Sequence, residues 1–70
     1  MLDVEVVVTS PEAALDGVAE FHCHGRLIGF TRLQAGELVL ELAVGPGDEP
    51  LLVNARSLSQ ALLRAKSLLT

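Results

Sequence analysis

Residues 26–44 read RLIGFTRLQAGELVLELAV, two runs of aliphatic, aromatic and β-branched residues on either side of Gln34-Ala35-Gly36. A short Gly-containing spacer between two such runs predicts a β-hairpin. Loop length then decides which residues face one another. A two-residue loop at Ala35-Gly36 sets Leu33 against Leu38 and Phe30 against Glu41, which matches an aromatic core candidate with a carboxylate. A three-residue loop, with Gln34 and Ala35 right-handed and Gly36 left-handed, pairs Leu33 with Glu37, Phe30 with Leu40 and Ile28 with Leu42. A one-residue slip would turn every one of these side chains to the wrong side, and hydrophobic pattern and turn chemistry together favour the three-residue loop. The expected core face is therefore Ile28, Phe30, Leu38, Leu40, Leu42 and Val44. The expected second face is Leu27, Gly29, Thr31, Leu33, Glu37, Val39, Glu41 and Ala43.

On the N-terminal side, Val18 to His24 alternates, with Ala19, Phe21 and Cys23 on one side and Val18, Glu20, His22 and His24 on the other. His24-Gly25 is then a two-residue turn that pairs Cys23 with Arg26 and Phe21 with Ile28. Leu2 to Thr9 alternates as well, Leu2, Val4, Val6 and Val8 against Asp3, Glu5 and Val7, as a half-buried strand does. Between these strands Ser10-Pro11-Glu12 carries a cap and a first-turn proline, and Gly17 closes the segment after one or two helical turns.

On the C-terminal side, Gly45-Pro46-Gly47-Asp48-Glu49-Pro50 reads as a loop and Leu51 to Val53 as a brief extended piece. Leu58, Ala61, Leu62, Ala65, Leu68 and Leu69 follow the spacing of one apolar helical stripe, with Leu63 outside it. Ser57 with Gln60 makes a capping box, and Asn54 is a competing start. The fold class expected is α+β: one domain over residues 1–70, a four-stranded antiparallel sheet in β-β-β-β-α order, and a C-terminal amphipathic helix on one face.

Seventy residues lie near the size at which one core supplies only about 3–5 kcal/mol. Half the chain is hydrophobic, with two Phe and no Trp or Tyr, so the core must be aliphatic. A single cysteine, Cys23, cannot form an internal disulfide, which fits a reducing cytoplasm. Neither a basic leader with a long apolar stretch nor a run of about 18 apolar residues is present, so no membrane association is expected. Nine acidic residues against five basic ones, a net charge of −4, oppose nucleic-acid binding. Arg56, Arg64 and Lys66 would have to line up across a dimer to provide it.

The sequence holds no catalytic constellation and no phosphate-binding loop, and it predicts a protein that is not an enzyme and needs no cofactor. Cys23 and the histidines beside it project to opposite faces of a strand and cannot act as nucleophile and base. Glu20, His22 and His24 share one strand face, and two imidazoles with a carboxylate are candidate metal ligands, although a closed zinc site takes four. The apolar second face, with Val7 and Val18 added, exceeds what a soluble monomer exposes. It predicts an interaction module, a homodimer or a subunit of a complex, with Leu27, Leu33, Val39 and Leu63 at the contact. The segment 55–69, ARSLSQALLRAKSLL, is loosely similar in its alanine and leucine spacing to the small partner proteins of bacterial toxin–antitoxin pairs. That resemblance implies an antitoxin-like or regulatory partner.

Overall fold

A computed structural model describes residues 3–42 and 52–69. The elements are β1 (Glu5–Val7), α1 (Pro11–Leu15), β2 (Glu20–Cys23), β3 (Arg26–Gln34), β4 (Glu37–Leu42) and α2 (Ala55–Leu69). The four strands form one antiparallel sheet in the order β1-β2-β3-β4, and α2 packs across the β1 side of one face. The α+β class, the antiparallel sheet and the C-terminal helix are as the sequence predicts. Leu2, Ala43, Val44, the expected loop at 45–50 and Leu51 lie outside the described residues.

Local chemistry accounts for both helices. Ser10 caps α1, its Oγ accepting from the Ala13 N–H at 3.0 Å, and Pro11 fills the first turn where its missing N–H costs nothing. Gly17, at φ 74°, ends the helix, with the Val18 N–H bonded to the Ala13 carbonyl and the Gly17 N–H to that of Ala14. Asn54 is the cap of α2: its Oδ1 accepts from the Ser57 N–H at 2.9 Å. Ser57 is thereby free for another task, and its Oγ accepts from the Val4 N–H at 2.8 Å, tying α2 to the chain entering β1.

The core lies between α2 and the β1–β2 half of the sheet. Ala19, Phe21, Cys23, Ile28, Ala61 and Ala65 are buried, with Val4, Val6, Val8, Leu40, Val53, Leu58 and Leu69 packed around them. Ala61 and Ala65, one turn apart, have almost no side chain, so the helix backbone comes close to the sheet and Phe21 fills the space beneath. Complete burial of that ring contributes about 2–3 kcal/mol of transfer free energy.

The central hairpin differs from the expected register. Ala35 and Gly36 both have positive φ, 53° and 80°, so they form a two-residue turn with the twist that suits a hairpin. Gln34 pairs with Glu37, Leu33 with Leu38, Thr31 with Leu40, and Phe30 with Glu41, the arrangement that the hydrophobic pattern disfavoured. The second correction explains the first. The β2–β3 turn at His24-Gly25 pairs Cys23 with Arg26 and His22 with Leu27 as expected, but Phe21 then pairs with Gly29, not Ile28. Ile28 is the extra residue of a bulge, and a bulge reverses which parity of β3 faces the core. Before it, Ile28 points inward; after it, Gly29, Thr31 and Leu33 do, and Phe30 turns to the outer face. Gly29 is required there, because a Cβ would lie 2.6 Å from the Glu41 carbonyl oxygen.

Thr31, expected on the second face, is therefore 2 % exposed beneath α1. Its Oγ1 donates to the Gly17 carbonyl and accepts from the Ala19 N–H, both at 2.8 Å, while its own N–H bonds to the Ala19 carbonyl at 2.9 Å. One hydroxyl thus closes the chain between α1 and β2 onto β3 and leaves no buried partner unmet.

Candidate protein-interaction surface

The outer face of the sheet, away from both helices, is mixed and not uniformly apolar. Register places Glu5 and Val7 of β1, Glu20 and His22 of β2, Leu27, Phe30 and Arg32 of β3, and Glu37, Val39 and Glu41 of β4 on it. His22 Nε2 lies 3.0 Å from Glu20 Oε1, and Arg32 Nε lies 3.3 Å from Glu41 Oε1. The Arg32–Glu41 ion pair is about half open to water and the His22–Glu20 contact about a quarter to a third open, where such contacts contribute at most about 1 kcal/mol.

The predicted metal ligands are brought together only in part. Glu20 and His22 meet, but His24 sits in the turn with φ 51° and is exposed. Among the described residues no group of three or more His, Cys, Asp or Glu side chains is placed to hold a metal ion. Cys23 faces the core at 2 % exposure. Burial, with help from the carboxylates of Asp3 and Glu5, pushes its thiol pKa up and keeps it protonated.

The predicted contact residues are distributed over different surfaces. Leu27 and Val39 lie on the outer face, while Leu33 lies on the helix-bearing face, where its side chain fills the space that a Cβ on Gly17 would need. Leu63, 68 % exposed, is on the side of α2 turned away from Ala61 and Ala65. Arg64 lines an open groove of about 400 Å³ with Gln60, Ala61 and the β1 residues Val4, Glu5 and Val6. Lys66 is two positions, about 200°, further round the helix, so these cations do not form one stripe.

What the sequence reading missed is the open half of the helix-bearing face. Because α2 sits over β1 and β2, it leaves Leu33 of β3 and Leu38 and Leu42 of β4 largely uncovered on that face. Leu33 and Leu38, a directly opposed pair, are 52 % and 42 % exposed, and Leu42 is 59 % exposed. Leu40 between them is half-buried against the core. The strip runs along β4, the last strand of the sheet. The available signal is the alternation in Glu37-Leu38-Val39-Leu40-Glu41-Leu42, which puts the Leu set on the helix-bearing side; what it does not show is that α2 stops short of them.

Among the described residues no helix is long and apolar enough to cross a membrane. Comparison with known proteins finds no family model, no curated protein and no solved structure that matches this chain.

Proposed function

We propose that this chain is a small, non-enzymatic protein-interaction module that binds another polypeptide along the β3–β4 half of its helix-bearing face. The observation that supports the reading is the exposed strip Leu33, Leu38 and Leu42 beside the half-buried Leu40. Opposed leucines on a sheet normally lie under a second layer, and here α2 is displaced toward β1. Covering one leucine contributes about 1.5–3 kcal/mol. For a chain whose own core supplies only about 3–5 kcal/mol, that is a substantial fraction of its stability. A lone unpaired cysteine supports a reducing, cytoplasmic setting for the complex.

The test is sedimentation of the 7.4 kDa chain, alone and mixed with soluble extract of its native host, beside the double variant Leu33→Glu/Leu38→Glu. The wild type should sediment above its monomer mass in at least one of the two conditions. The variant should be monomeric in both and keep its helix content. A wild type at monomer mass throughout, indistinguishable from the variant, would refute the reading.

A further inference from the structure

We infer that the partner is a second copy of this chain, joined edge to edge through β4 about a two-fold axis at Leu40, so that two four-stranded sheets become one of eight. The inference deepens the proposed interaction module and rests on it.

The hydrogen-bond pattern of the hairpin fixes what the outer edge of β4, unpaired among the described residues, presents. In a two-residue hairpin the residues flanking the turn, here Gln34 and Glu37, exchange both backbone bonds, and bonded and non-bonded pairs then alternate. Glu37, Val39 and Glu41 therefore point their N–H and C=O groups at β3, and Leu38, Leu40 and Leu42 point theirs outward. Thr31 confirms the phase independently. It stands opposite Leu40, and its N–H is spent on the Ala19 carbonyl of the β2 side, 2.9 Å away, so Leu40 has no backbone partner across β3.

Of the antiparallel pairings of this edge with itself centred on Val39, Leu40 or Glu41, one suits both the backbone and the side chains. Centring it on Leu40 sets Leu40 against Leu40 of the partner copy, Leu38 against Leu42, and Val39 against Glu41. All the outward groups of the three leucines are then matched, in up to about six ladder bonds. Centring it on Val39 puts Glu37 against Glu41, and centring it on Glu41 puts two copies of Glu41 face to face; like charges directly opposed are destabilising. The Leu40 register keeps every described carboxylate away from its counterpart and merges the two exposed leucine strips into one band.

The opposite edge is closed to the same use. β1 is only three residues long, the Val4 N–H beside it is held by Ser57 at 2.8 Å, and Arg64 and Gln60 of α2 stand along it. β4 has six residues with no Lys, no Pro and no bulge, which are the devices that usually blunt an edge.

The experiment mixes Val39→Cys chains with Glu41→Cys chains under mild oxidation, with the wild type as control for Cys23. In the Leu40 register Val39 and Glu41 of the partner copy form a non-bonded pair with Cα atoms about 4.5 Å apart, a separation that a disulfide spans. Unlike chains should cross-link efficiently, like chains poorly, and the wild type not at all. Sedimentation should give a dimer for the wild type and a monomer for Leu38→Lys, with circular dichroism unchanged. A dimer that cross-links like chains instead would overturn the register while leaving the interaction module standing. A wild type that is monomeric alone and gains mass only with host extract would overturn the second copy as partner, again sparing the module. A monomer under both conditions would remove both.

Discussion

Replacing Thr31 with Val keeps the shape of a fully packed side chain and removes one oxygen. That oxygen accepts from the Ala19 N–H and donates to the Gly17 carbonyl, each at 2.8 Å in a site 2 % exposed. The variant leaves a buried donor and a buried acceptor without partners, and each orphaned group costs about 1–3 kcal/mol. The expected loss is therefore about 2–5 kcal/mol. That is comparable with the whole stability of a 70-residue domain. Thr31→Ser keeps the hydroxyl and loses a methyl group, about 1 kcal/mol. Urea denaturation followed by circular dichroism, at one fixed protein concentration so that association does not shift the midpoint, should rank wild type, then Ser, then Val. On the usual scaling the Val variant should melt at least about 10 °C below wild type. A Val variant within 0.5 kcal/mol of wild type, or more stable than the Ser variant, would show that the clasp is decorative and that apolar packing alone holds β3 to the segment preceding β2.

Four further outcomes can be checked in the same way. Gly29→Ala sets a Cβ 2.6 Å from the Glu41 carbonyl oxygen; it should cost about 2–4 kcal/mol in a denaturant titration and loosen the β3–β4 ladder in amide exchange. Ala35→Asn places a residue that tolerates the left-handed region at φ 53° and should raise the melting midpoint by a few degrees, equivalent to about 0.5–1 kcal/mol. Ala61→Leu puts bulk where α2 approaches the sheet and should lower stability by about 1–3 kcal/mol in thermal melts. Cys23, its pKa raised above the ordinary 9.0 by burial and by Asp3 and Glu5, stays protonated in the folded chain at a pH where the unfolded chain ionises. Its contribution is thus complete below the unfolded value and lost as pH rises through the folded one. Cys23→Ala should flatten the fall in stability measured as pH rises past the ordinary value of 9.0.

How much of this was legible in the sequence depends on whether a feature is local. Ser10-Pro11 and Gly17 bracket α1, His24-Gly25 forms a turn, and Ala19, Phe21 and Cys23 alternate into the core, each because a few neighbouring residues dictate it. The stripe of α2 was legible by periodicity, and Asn54 proved to be its cap because Ser57 is drawn away to Val4. The hairpin register was not legible, since it depends on a bulge at Ile28 that exists only when β2 and β3 meet. Gly29 was the one clue, a residue without a side chain inside an apolar strand. Reading straight through it exchanged the roles of Phe30 and Thr31 and with them the face carrying Leu33, whereas Leu38 and Leu40 lie on the helix-bearing side as expected. The candidate contact surface moved accordingly, from the side opposite α2 to the uncovered half beside it.

The bulge also explains why the proposed interaction surface lies at an edge rather than on the back of the sheet. Had β3 kept one parity throughout, Phe30 would lie inside and Thr31 outside, and the outer face would be left without Arg32 beside Glu41. With the parity reversed, Arg32, Glu37 and Glu41 gather on the outer face, which water can solvate. The leucines gather inward, where α2 would have to reach them. α2 cannot, because Ser57 at Val4 and the small residues Ala61 and Ala65 hold it against β1 and β2. A single helix of fifteen residues is thus placed to seal one edge and half of one face, and the same placement leaves β4 apolar on its inner side and unpaired along its outer backbone among the described residues. Both unmet requirements fall on the same six residues, Glu37 to Leu42. A strand presenting that pair of features satisfies both at once.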